Sequence, residues 1–360
     1  MSTERIAQFV RPEIQALTAY KVGKADNLIK LDNMENPYSW DESVKQGWLH
    51  RMQEIDVNRY PSPDAQGLRS RLREVMNISD NVDLLLGNGS DELIQIICMA
   101  LSKPGASLLS VSPAFVMYEM TAIFTGMKYH SVPLNDDFSL NKELVLSEIR
   151  KTKPSVVFIA YPNNPTGNLF DEAELCEIIE TSPGLVVIDE AYYAFADASF
   201  DKYLDKYDNI VVLRTVSKMG LAGLRLGYMM ASPAWINEFN KVRMPFNVNS
   251  LTQASVEYAL ENIDMFNAQT EQLCVSRESL FCSMSEINEI KCYPTKTNFI
   301  LFRTAEGQAT KIFEAIKSAG VLIKNLSLAG GALTDCLRVT IGTEEQNAFF
   351  LKALRESVNV

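Results

Sequence analysis

The sequence predicts an α/β protein, with a large domain on a mainly parallel sheet and a smaller α/β domain beside it. Three observations carry this reading. Between about residues 80 and 230, short apolar runs alternate with amphipathic segments of helical period. Chemistry-bearing residues fall just after several of those runs, where ligands gather in a parallel sheet. A second, shorter alternation of strand and helix patterns follows a long helical stretch near the C-terminus.

The runs at 82–86, 108–111, 156–160, 185–188, 210–213 and 226–230 are short and mainly apolar, as expected of strands covered on both faces. Stretches 92–101, 140–149 and 171–180 carry apolar residues at helical spacing between them. Residues 250–286 read as one long helical region. Beyond it, 298–303, 321–323 and 337–341 read as strands, 308–318 as a helix, and a final amphipathic helix begins at Glu344. The expected division is a large domain over 45–250 and a small one formed by 1–44 together with 251–360.

Composition excludes several function classes. The 360 residues carry 34 basic and 45 acidic side chains, a formal charge of −11, without a clustered basic patch. Nucleic acid and anionic membranes are therefore not expected partners. The first residues lack the apolar run of a signal peptide, and no stretch has the ~18 apolar residues of a membrane span. A cytoplasmic location is expected. The 6 cysteines form no CxxC pair and are expected to be reduced thiols. With only 2 histidines, His50 and His130, a catalytic zinc site is not expected, and no GxSxG elbow supports a serine hydrolase.

Five segments carry chemistry. In the stretch from Arg214 to Gly227, Lys218 follows an apolar strand and enters small, apolar surroundings. Desolvation there favours the neutral amine, the nucleophilic form that an imine requires. Ser217 and Arg225 flank it with groups suited to phosphate oxygens. The alternative for Lys218 alone is a solvated loop lysine. In Val186-Val-Ile-Asp189-Glu-Ala-Tyr192, the aspartate is poised to pair with a cationic ring nitrogen, and Tyr192 to donate to a phenolate oxygen. A helix cap is the competing role for Asp189. In Asn163-Asn164-Pro165-Thr166-Gly167, Asn164 offers its amide to a ring oxygen, although such a turn alone means little. Gly87-Asn-Gly89-Ser90-Asp91-Glu92 joins a strand to a helix start, whose amides and Ser90 hydroxyl suit an anion. A dinucleotide fingerprint would need glycine where Glu92 stands. Phe115, just past the next strand, is placed to stack on a planar cofactor or simply to fill the core.

Taken in order, these motifs resemble the fold-type-I aminotransferases, the aspartate aminotransferase superfamily. The resemblance runs from Leu31-Asp-Asn-Met-Glu-Asn-Pro37 to Leu337-Arg338-Val-Thr-Ile-Gly342. Asn58-Arg59-Tyr60-Pro61, Gly89-Ser-Asp-Glu92, the segment from Arg214 to Gly227, and Leu337-Arg338 before Val-Thr-Ile-Gly-Thr343 are most similar to the histidinol-phosphate aminotransferase branch.

That resemblance implies the fold-type-I transferase fold and pyridoxal 5′-phosphate (PLP) as cofactor. It implies that Lys218 is the cofactor-linked lysine and proton shuttle, that Asp189 keeps the pyridine nitrogen protonated, and that Tyr192 and Asn164 hold the phenolate oxygen. Phe115 is then the stacking residue, and Ser90, Asp91, Ser217 and Arg225 surround the phosphate. Tyr60 is implied to reach the phosphate of a neighbouring subunit, making a homodimer the active unit. Arg338 is implied to bind the substrate's carboxylate or phosphate, and Tyr20 and Asn298 to lie near the substrate pocket. Lys324 stands where the family often carries a second phosphate-directed arginine; a lysine is a point charge and not a fork. The implied reaction converts imidazole-acetol phosphate and L-glutamate to L-histidinol phosphate and 2-oxoglutarate by a ping-pong mechanism. Aromatic aminotransferases and threonine-phosphate decarboxylases share these motifs and remain alternatives. A PLP-binding regulatory domain is disfavoured, since no helix-turn-helix or basic region precedes the enzyme pattern.

Overall fold

The computed structural model describes residues 3–19 and 27–358. Its central sheet has seven strands in the order Asp83–Asn88, Leu226–Ala231, Ile210–Thr215, Leu185–Asp189, Val156–Ala160, Ser107–Ser112, Lys128–Pro133. Leu226–Ala231 runs antiparallel to both its neighbours, and every other pairing is parallel.

Period-two alternation explains why the central strands are apolar throughout. Val157, Ile159, Val186, Ile188 and Val212 point into one buried cluster. Their chain neighbours Val156, Phe158, Leu185, Val187, Val211 and Leu213 point into another on the opposite face. Each such side chain contributes about 1.5–3 kcal/mol on leaving water, so both faces must be covered, and helices such as Ser90–Leu101 and Glu172–Thr181 cover them. Lys128–Pro133 is the strand without an apolar signature. It lies at the sheet edge, where Lys128, Ser131 and Pro133 are exposed, so burial never demanded a hydrophobic run there.

A second sheet of four antiparallel strands, Lys324–Asn325, Cys336–Thr340, Phe299–Thr304 and Ile290–Cys292, packs with helices Ile263–Ser285, Ala309–Ser318 and Glu344–Val358 around a third cluster. Its register sets Lys324 directly opposite Arg338. The single helical region expected over 250–286 is two helices, Ser250–Glu261 and Ile263–Ser285. Asn262 breaks it at φ −114°, ψ 32°, and its side-chain amide donates to the Tyr258 carbonyl at 2.9 Å. Asparagine competes for backbone partners in this way, and so favours helix ends. Strand Ile29–Lys30 pairs in parallel with Val321–Leu322 as a separate two-stranded sheet and leads residues 31–37 toward the carboxyl ends of the large one.

Candidate active site

Five connections leaving the large sheet converge there. The loop after Asp83–Asn88 brings Gly89 and Ser90, that after Ser107–Ser112 brings Phe115, and that after Val156–Ala160 brings Asn164. Asp189 ends its own strand, and Ser217 and Lys218 form a short 3₁₀ turn beyond Ile210–Thr215. All of them line one cavity of about 400 Å³.

At one end of the cavity a backbone cradle forms. Gly89 adopts φ 79° and, having no side chain, leaves the first amides of helix Ser90–Leu101 without a side-chain cap. Leu226–Ala231 passes so close that a Cβ on Gly227 would stand 2.6 Å from the Ser90 nitrogen, so glycine is required at this crossing. Ser217 is buried, and its hydroxyl shares a 2.8 Å hydrogen bond with Thr215. Arg225 reaches over Gly89 and lies 3.4 Å from Asp91. Both side chains are largely exposed, so this ion pair contributes little to stability.

Asp189 lies deeper, 3 % exposed. Its Oδ2 accepts from the Tyr118 hydroxyl at 2.7 Å and its Oδ1 from the Ala191 amide at 3.1 Å. Neither partner is a cation, so burial prevails and raises the carboxyl to about 6, against the pull of the two hydrogen bonds. Lys218 is shifted the other way. Burial first, then the Arg338 guanidinium, lowers its amine to about 8. At pH 7.5 roughly a quarter of such amines are neutral, against about one in a thousand for an ordinary lysine. Its Nζ donates to the Asn33 carbonyl at 3.3 Å.

A hydrogen-bonded chain crosses the cavity wall. The Asn164 amide donates to the Tyr192 hydroxyl at 3.2 Å, while its Oδ1 accepts from Arg338 NH1 at 2.6 Å. Arg338 also donates to the Asp32 carbonyl at 3.2 Å and lies 5.0 Å over the Phe299 ring, so its fork is held in place from several sides. Burial pushes the Tyr192 hydroxyl well above its ordinary range, keeping it a proton donor. Arg338 and Lys324 both line a neighbouring cavity of about 550 Å³, which shares Asn33, Phe115 and Asn164 with the first.

Behind the site, Arg214 and Glu190 form a buried ion pair at 2.9 Å, their side chains 5 % and 0 % exposed. Arg214 continues to Ser199 and Asp201, each at 2.7 Å. This network joins the strand that ends at Asp189 to the strand that leads to Lys218. Among the described residues, no cluster of His, Cys, Asp or Glu could hold a metal ion, and no helix is long and apolar enough to cross a membrane.

Residues 26–354 match the family described as aminotransferase class I and II. This chain belongs to the class I and II aminotransferases. It is 52 % identical over 355 residues, 99 % of each chain, to a protein from Nitrosococcus oceani named histidinol-phosphate aminotransferase 2. It is 44 % identical over 350 residues, 97 % of this chain and 98 % of the other, to histidinol-phosphate aminotransferase from Chromobacterium violaceum. Among solved structures, the histidinol-phosphate aminotransferase from Sinorhizobium meliloti in complex with pyridoxal-5′-phosphate superposes with a TM-score of 0.86 at 22 % identity, covering 98 % of both chains. At that identity the match establishes the shared fold, which is the fold expected from the sequence.

In this aminotransferase, Ser90, Asp91, Phe115, Asn164, Asp189, Tyr192, Ser217, Lys218 and Arg225 come together around one cavity. Arg338 and Lys324 stand around the adjoining one. Asn298 is 1 % exposed and donates to the Met34 carbonyl at 3.0 Å; it supports a residue that lines both cavities. Tyr60 is outside the cavity of its own chain, 83 % exposed, with its ring stacked on Phe246 at 4.7 Å. Tyr20 lies outside the described residues. Sequence reasoning missed Tyr118, Thr215 and Asn33. Tyr118 carried a usable signal, since it lies one helical turn beyond Phe115, on the same side.

Proposed function

We propose that this chain is a PLP-dependent histidinol-phosphate aminotransferase, converting imidazole-acetol phosphate and L-glutamate to L-histidinol phosphate and 2-oxoglutarate. One observation carries the chemistry. A lysine with a depressed pKa and a buried carboxylate with a raised one share a single cavity, between an amide cradle and a fixed arginine. The substrate follows from relatives of that name at 52 % and 44 % identity over almost the whole chain.

The donor set fits the cofactor. Asp189 is a buried carboxylate whose two partners are neutral, the setting that a pyridinium nitrogen would complete. The uncapped amides at Ser90, the hydroxyls of Ser90 and Ser217 and the Arg225 guanidinium suit a phosphate dianion. Tyr192 and Asn164 suit a phenolate oxygen, Phe115 a ring face and Lys218 an aldehyde. When bound, PLP supplies that aldehyde and an electron-withdrawing ring, which carry the amino group from one substrate to the other.

The chain's own residues do the rest. Lys218 Nζ, neutral often enough near neutral pH, would move the proton from the glutamate Cα to the cofactor's C4′ carbon, and in the second half-reaction would move one from C4′ to the acceptor's Cα. Asp189 holds a proton on the ring nitrogen through a charge-assisted hydrogen bond. Asn164 links Tyr192 to Arg338, so the group that senses substrate charge also orients the donor to the ring oxygen. Arg338 presents paired donors to the carboxylate of glutamate or the phosphate of the acceptor. Lys324, its cross-strand neighbour, adds a point charge suited to the more highly charged phosphate. The proposed active unit is a cytoplasmic homodimer, in which the exposed Tyr60 reaches the partner's cradle.

Amino transfer from glutamate to imidazole-acetol phosphate, compared with transfer to phenylpyruvate, tests the substrate. The reading requires the phosphorylated acceptor to have the larger kcat/KM. A clear preference for phenylpyruvate, or carbon dioxide release from phosphothreonine in place of amino transfer, contradicts it.

A further inference from the structure

The loop that forms the anion cradle is held from behind by side chains that never touch the cavity. Gly87-Asn88-Gly89 has to turn sharply between its strand and helix Ser90–Leu101, which leaves the backbone groups on the outer side of the turn in need of partners. Asn247 and Glu92 supply them. Glu92 Oε2 accepts from the Asn88 amide at 2.6 Å and from the Asn247 side-chain amide at 2.8 Å. The same Asn247 nitrogen donates to the Leu86 carbonyl at 3.0 Å, while its backbone carbonyl accepts from the Asn88 side chain at 2.5 Å. Arg243 fixes the remaining end by donating to Asn247 Oδ1 at 2.8 Å.

Asn247 therefore touches both ends of the turn, Leu86 before it and Asn88 within it, and through Glu92 it also touches the helix. The segment that delivers it is strained. Phe246 has φ 61°, a left-handed conformation uncommon for a bulky residue. Such outliers persist where the surroundings over-determine them, and here they include the Tyr60 ring and the bonds of Asn247.

We infer that Asn247, together with Glu92, is a positioning residue for phosphate recognition, which fixes the turn so that the Ser90 end of the helix faces the cavity. The inference rests on the reading of that cradle as the seat of the cofactor's phosphate. It separates affinity for the phosphate from affinity for the ring, because nothing in this network contacts Asp189, Tyr192 or Lys218.

The test titrates apoprotein with PLP and with pyridoxal, the same aldehyde without its phosphate, and reads the ratio of the two dissociation constants. Wild type prefers PLP. Asn247→Ala removes the bonds to Leu86 and Glu92, and should cut that preference about tenfold, the worth of roughly one well-formed hydrogen bond, while pyridoxal affinity stays unchanged. Asn247→Asp keeps the shape, loses both donors and sets a second carboxylate beside Glu92, so it should cut the preference at least as far. Glu92→Gln keeps an acceptor oxygen and should remain close to wild type, whereas Glu92→Ala should follow Asn247→Ala. An unchanged ratio in Asn247→Ala and Asn247→Asp overturns the inference. So does an equal loss of affinity for both ligands, which marks a merely structural residue. A wild type that fails to prefer PLP over pyridoxal overturns the reading of the cradle itself and the inference with it.

Discussion

Tyr118→Phe isolates the environment of Asp189. The tyrosine is fully buried, stacked on Phe158 at 5.0 Å and edge-on to Phe115 at 5.7 Å, so phenylalanine keeps the packing and deletes only the hydroxyl. What is lost is a 2.7 Å bond to a carboxylate. Hydrogen bonds to charged groups contribute about 1.5–3 kcal/mol, equivalent to about 1–2 pKa units. In the apoprotein the Asp189 carboxyl should therefore rise from about 6 to roughly 7–8. The sign follows directly. Only the ionised carboxylate pairs with a ring cation, so PLP affinity falls as pH drops through this pKa, and it must fall at higher pH in the variant. Absorbance titration of both apoproteins with PLP should give similar affinities near pH 8.5 and about tenfold weaker binding by the variant near pH 6.5. The cofactor's own ionisation is common to both titrations and cancels in their ratio. Superimposable pH curves, or a variant midpoint below that of wild type, would refute the reasoning.

Asp189→Asn should raise apoprotein stability at neutral pH while turnover is mostly lost. The carboxyl titrates near 6 folded against an ordinary 3.8, so stability present below pH 3.8 is lost as pH rises through 6, by up to about 3 kcal/mol. Calorimetry of both apoproteins at pH 7.5 checks this, and a lower Tm for Asp189→Asn contradicts it. Arg214→Ala strands Glu190 as an unpaired buried carboxylate and should destabilise the chain by about 3–5 kcal/mol in denaturant titrations; a loss below 1 kcal/mol would mean that the pair is not buried as described. Lys324→Ala should raise KM for the phosphorylated acceptor about tenfold and leave KM for glutamate unchanged, and steady-state kinetics in both directions distinguish the two.

Much of the fold was legible because burial on both faces forces a composition. Val156–Ala160, Leu185–Asp189 and Ile210–Thr215 carry uninterrupted apolar runs, Ser107–Ser112 and Leu226–Ala231 carry apolar runs broken by Ser110 and Gly227, and Asp83–Asn88 carries Leu84, Leu85 and Leu86 at its centre. Lys128–Pro133, solvated at the edge, left no such trace. Asn262 ended a helix by local hydrogen bonding that periodicity does not register. At the site, residues directly after strands were visible because the strands themselves were. Tyr118 left only its spacing from Phe115 and Asn247 left no such trace, since each acts through a partner distant in sequence, Asp189 in one case and Glu92 with Leu86 in the other. The opposition of Lys324 and Arg338 likewise depends on strand register, which a sequence does not state.

Reduction of the PLP-loaded protein with borohydride, followed by peptide mapping, addresses the account at its root. A pyridoxyl label confined to the peptide that contains Lys218 is the predicted result. A label on any other lysine, or none from a protein saturated with PLP, would contradict it.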